Sequence, residues 1–93
     1  MDKETLKAKI NQLIDETAAK IDELKAKKEK AEANMKAKYE ETIRELEERK
    51  NKMQNKIKEI QETSEEKWEH VKESFSAAWE DFKSGFEKIK SAF

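Results

Sequence analysis

Leu6, Ile10, Leu13, Ile14, Ile21, Leu24, Ala31, Met35, Tyr39, Ile43, Leu46, Met53, Ile57 and Ile60 recur mostly at three- and four-residue spacings along the first two thirds of the chain. At about 100° per residue they fall within an arc of roughly 120°, the apolar stripe of an amphipathic helix. No proline or glycine interrupts residues 2–62, so the pattern predicts one long helix there. Its outer face carries acidic-to-basic pairs four residues apart: Glu16–Lys20, Glu23–Lys27, Glu32–Lys36, Glu40–Arg44, Glu45–Arg49 and Glu48–Lys52. Each stabilises a helix by only about 0.2–0.5 kcal/mol, and together they read as a solvated face. The weakest stretch is KAKKEKAEAN, residues 25–34, whose inward positions offer little beyond Lys28 and Ala31. Helix there rests on propensity rather than packing, which makes it a candidate soft spot or hinge.

The last third changes character. WEHVKESF, starting at Trp68, is answered eleven residues later by WEDFKSGF, starting at Trp79. Trp68, Val71, Phe75, Trp79, Phe82, Phe86, Ile89 and Phe93 form an apolar ridge within an arc of about 80°. Beside it runs a row of small residues, Ala78, Gly85 and Ala92. A large row beside a small one lets a partner helix approach closely. Gly85 costs a helix roughly 1 kcal/mol relative to alanine, so close approach is one reason for it and tolerance near a helix end is the plainer one. A single helix cannot bury its own stripe. The ridge is therefore expected to dock, against a second copy or against the chain's own first helix folded back.

Stepping by eleven from Leu13 meets Leu24, Met35, Leu46, Ile57, Trp68 and Trp79, all apolar. Eleven residues make three turns, a period that favours nearly straight helix association. The phase runs through the junction QETSEEK, where Thr63 and Glu66 also spell a capping box, the mark of a new helix start. The expected fold is all-α and elongated: a coiled coil in which one long helix, about 2–62, continues or kinks into an aromatic amphipathic helix, about 64–92. Residues 1–93 then form a single helical domain, about 135 Å long if unbroken. A helical hairpin or three-helix bundle is the alternative.

Composition sharpens this reading. Charged residues make up 46% of the chain and apolar ones 34%, the profile of long helices rather than of an ordinary globular domain. The net charge of −1 gives no global pull toward nucleic acid. There is no cysteine for a disulfide, a thiolate metal site or thiol catalysis, and the opening MDKETLKAKINQLIDE has no apolar run of the signal-peptide kind. A cytoplasmic chain is expected.

Candidate chemistry is sparse. His70 has Glu66 and Glu73 one helical turn away, a spacing that can share a metal, but a solvated histidine is the better reading. Glu47–Glu48 and Glu65–Glu66 diverge around a helix and have no pocket to shift them. Lys25, Lys27, Lys28 and Lys30 are diluted by Glu23, Glu29 and Glu32, with no aromatic residue interleaved. No phosphate cradle or nucleophile elbow is present. The sequence points to no enzyme, with no catalytic, cofactor or metal residues, no small-molecule substrate and no nucleic acid.

The ending EKWEHVKESFSAAWEDFKSGFEKIKSAF, behind KAEANMKAKYEETIRELEERKNKM, resembles a family of bacterial coiled-coil proteins of about a hundred residues, usually described only as stress-response or hypothetical proteins. Trp79, Glu80, Phe82, Lys83, Gly85 and Phe93 carry the likeness best; Thr63-Ser64-Glu65 departs from the Ser-Gly-Asp-like turn of the relatives. The resemblance implies a role in bacterial stress physiology and brings no catalytic residues. At the level of pattern, the eleven-residue period is also similar to that of lipid-associating apolipoproteins and desiccation proteins. The expected function is a non-enzymatic structural or interaction role, as a homo-oligomer. The alternative is a peripheral membrane-surface protein, with Lys72, Lys83 and Lys90 flanking the ridge as snorkelling lysines. A third reading is an adaptor whose ridge takes a partner helix.

Overall fold

Asp2 starts the first helix. Its carboxylate accepts a hydrogen bond from the Thr5 amide at 2.7 Å, satisfying one of the donors a helix start leaves unpaired. In the computed structural model, which describes all 93 residues, α1 then runs Lys3–Glu29. It ends inside the weak stretch: Lys30 and Ala31 donate their amides back to Lys27 and Lys28 at 3.2 and 3.1 Å, tightening the last turn. Glu32 is extended, and α2 follows over Ala33–Glu62.

The single helix expected over 2–62 is therefore divided at 30–32, and the three-helix alternative is what forms. The physical reason is burial. A straight helix would leave both halves of its stripe wet, whereas reversal at the segment with the fewest inward apolar residues lets the halves cover each other. Across the turn, Lys28 pairs with Glu40 at 3.0 Å and Lys25 with Glu47 at 3.6 Å. Of the six sequence-local pairs, Glu23–Lys27 and Glu45–Arg49 close, at 3.2 and 3.3 Å.

The second junction also reverses the chain. Thr63 and Ser64 are both extended, and α3 runs Glu65–Ala92. The cap forms one residue later than the expected Thr63–Glu66 box: the Ser64 hydroxyl accepts from the Lys67 amide at 3.3 Å. The Thr63 hydroxyl instead donates back to the Glu59 carbonyl at 2.7 Å. Neither turn uses a positive φ, so neither needs glycine or asparagine. The eleven-residue column thus runs through two reversals and does not mark one continuous helix.

α1 and α2 form an antiparallel hairpin, and α3 lies along both. It runs beside α1 in the same direction, since Lys3 donates to the Thr63 carbonyl and lies 3.9 Å from Glu65. It runs opposite to α2, since Phe93 at its end meets Tyr39 near the start of α2, ring centres 5.5 Å apart. The particle measures 53 × 18 × 16 Å.

The core is one line of side chains thick, with 12 of 93 residues buried. α1 supplies Leu6, Ile10, Leu13, Thr17, Ile21 and Leu24; α2 supplies Ile43, Leu46, Met53 and Ile60. Thr17 is tolerated because its hydroxyl donates to the Leu13 carbonyl at 2.7 Å. α3 adds only Trp68 and Phe86.

Candidate interaction face on α3

Helical phase explains that selection. Trp68 and Phe86 stand five whole turns apart and so point the same way, into the α1–α2 hairpin. Val71, Phe82 and Ile89 lie roughly 40–60° to one side of this line, and Trp79 about 20° to the other. All four are half-buried, as are Phe75 and Phe93. Phe75 stacks on Trp68, ring centres 5.8 Å apart, beneath the Lys56 ammonium of α2 at 5.7 Å. The ridge is thus one surface, packed first against the chain's own hairpin: its centre line is fully covered and its flanks are not.

The other sequence-derived positions divide in the same way. On the long-helix face Leu13, Leu24 and Leu46 are buried, while Met35 and Ile57 are half-buried. In the small-residue row Ala78 and Gly85 are half-buried and Ala92 is exposed. What approaches Gly85 is a side chain of the same molecule, Arg49 of α2. A Cβ on Gly85 would overlap Arg49 Nη1 and stand 2.8 Å from Cζ. Arg49 Nη2 donates to Glu45 at 3.3 Å, and its Nε is buried with no acceptor. An open groove beside this contact is lined by Glu45, Glu48, Arg49, Lys52, Asp81 and Phe82.

On the α1 side of α3, a second groove of about 390 Å³ runs along the seam. Leu13, Trp79 and Phe86 give it an apolar lining, and Lys9, Lys83 and Lys90 a basic one, with Gln12, Glu16 and Glu87 completing it. The Lys9 and Lys83 ammonium groups lie 5.1 and 5.2 Å from the Trp79 ring centre, within cation–π range. The Trp79 indole Nε1 is shielded and has no acceptor.

The flanking lysines therefore differ from one another. Lys83 lies over Trp79 and Lys90 lines the seam, but Lys72 is tied to Glu69 at 2.8 Å. The hydrogen bond from Lys72 lowers the Glu69 carboxyl below its ordinary range, and the same bond raises Lys72. Glu66, His70 and Glu73 are exposed, and no group of three or more acidic or histidine side chains converges on a point that could hold a metal. No helix is long and apolar enough to cross a membrane.

From the sequence alone, Lys9 has no role, and Arg49 has only a place in an outer-face pair with Glu45. Their importance follows from where α3 docks, and no spacing within α1 or α2 encodes that. Comparisons with protein-family models, with curated proteins and with solved structures find no match to this chain.

Proposed function

We propose that the chain is a non-enzymatic interaction protein, a three-helix bundle that pairs with a second copy of itself through the flank of α3 facing α2. The observation that carries this reading is the mismatch between what α3 offers and what the bundle covers. Of eight large apolar ridge side chains, only Trp68 and Phe86 are buried. Val71, Phe82 and Ile89 remain half-covered in line along one edge. Apolar side chains left partly open beside charged neighbours are the kind of surface a second copy can cover.

The charge rim supports a two-fold pairing. Lys52 and Arg49 on α2 stand beside Glu45, Glu48 and Asp81 at the same groove, so the rim carries both signs of charge, which a self-complementary two-fold contact requires. The resemblance of the ending to bacterial stress proteins supports a role in stress physiology, and the lack of cysteine fits a reducing, cytoplasmic setting. Sedimentation equilibrium over a wide concentration range tests the pairing. The expected result is a reversible rise from 11.0 kDa to twice that mass, lost in the triple variant Val71→Ser, Phe82→Ser, Ile89→Ser while its helical circular dichroism is retained. A single-chain mass at every concentration would overturn the reading.

A further inference from the structure

The seam between α1 and α3 has a chemistry that pairing through the opposite flank does not use. Three lysines, Lys9, Lys83 and Lys90, line this one groove, and none of them is within ion-pair distance of a carboxylate. Its two carboxylates, Glu16 and Glu87, leave one net positive charge. Its apolar lining is Leu13, Trp79 and Phe86.

The geometry points to a binding site for a single-chain anionic amphiphile, one carboxylate on an unbranched acyl tail. The net charge suits a monoanion better than a doubly charged phosphate. Lys9 and Lys83, already drawn to the Trp79 ring, supply charge-assisted donors for the headgroup. The tail has somewhere to lie: the groove continues past Glu16, Phe86 and Lys90 into a second one bounded by Ala19, Lys20 and Glu23. From Lys9 to Glu23 this channel follows α1 for about 21 Å, long enough for an extended acyl chain of medium length.

The test is titration of sodium dodecanoate, below its micelle concentration, into the full chain, read by calorimetry. A parallel titration reads the fluorescence of Trp79 in a Trp68→Phe variant. The expected result is saturable binding of one dodecanoate per chain. Uncharged dodecanol, and the charge-removed variant Lys9→Gln, Lys83→Gln, each bind about tenfold more weakly, the value of one charge-assisted hydrogen bond. The control Lys38→Gln, Lys58→Gln, at exposed positions on helix α2, binds as the unaltered chain does. No saturable binding, more than one dodecanoate per chain, or an unaffected Lys9→Gln, Lys83→Gln variant would overturn the proposal. So would binding to phosphatidylglycerol vesicles without a response to free dodecanoate, which would assign the lysines to a membrane surface.

Discussion

The guanidinium of Arg49 lies against the bare backbone of Gly85, in space that any larger residue would need for its Cβ. Glycine in a helix interior forfeits roughly 1 kcal/mol relative to alanine. Gly85→Ala regains that propensity but displaces Arg49, whose flexible tip can swing away at a small cost. The two effects oppose each other, so Gly85→Ala alone shifts stability by less than about 1 kcal/mol. In an Arg49→Ala background the same substitution stabilises by close to the full amount. A double-mutant cycle by chemical denaturation checks this; equal effects in both backgrounds would mean that the contact has no energetic consequence.

The start of α2 is the weakest capped point in the fold. Glu32 holds the cap position with no side-chain hydrogen bond, and the first turn carries no acidic residue. Glu32→Ser places a hydroxyl where it can accept from an early α2 amide, as Ser64 does for Lys67. The expected gain is about 0.5–1 kcal/mol, measured by thermal or urea unfolding. Ser64→Ala should lose stability by a similar amount.

Acid should loosen the bundle from its charged ends. The Asp2 carboxyl is held below its ordinary range chiefly by the Thr5 amide, Glu23 by hydrogen bonds from Lys20 and Lys27, and Glu69 by Lys72. A carboxylate with a lowered folded-state pKa stabilises the fold above its ordinary pKa, and that contribution is lost as pH falls through the lowered value. Melting temperature should therefore fall on acidification below the ordinary carboxylate range. Asp2→Asn keeps a capping oxygen that does not titrate, so it should flatten this fall, whereas Asp2→Ala should lower the melting temperature at neutral pH as well.

Core substitutions should rank by burial. Leu46 is fully enclosed, so Leu46→Ala is expected to cost about 2–5 kcal/mol. Ile89 is only half-buried, and Ile89→Ala should cost clearly less in the isolated chain. If the flank of α3 pairs with a second copy, Ile89→Ala weakens association more than it weakens folding. Unfolding measured at low and high protein concentration separates the two effects.

The helical character and the apolar stripe were legible in the sequence because periodicity and burial share one cause. Leu6, Leu13, Leu24, Leu46 and Ile60 belong to the expected stripe and all are buried. The two reversals were harder to read. Residues 25–34 did stand out as the stretch without inward apolar anchors, and the chain does turn there. Nothing local, however, says that reversal gains more burial than continuing. At Thr63-Ser64 the turn is built from extended, negative-φ backbone, which leaves no glycine or proline mark. The eleven-residue phase across that point reflects amphipathicity on both sides of it rather than one continuous helix. For the candidate site, the ridge residues could be named in advance, but not Arg49 against Gly85 or Lys9 over Trp79, since those depend on which faces of α1 and α2 receive α3.

Both the pairing flank and the α1–α3 seam exist only if α3 folds onto the hairpin, and small-angle X-ray scattering at low protein concentration tests that folding directly. The bundle predicts an 11.0 kDa particle with a Cα radius of gyration near 15.4 Å and a longest dimension near 53 Å, apart from hydration. A rod of about 135 Å, the length of one unbroken helix at 1.5 Å per residue, would contradict it.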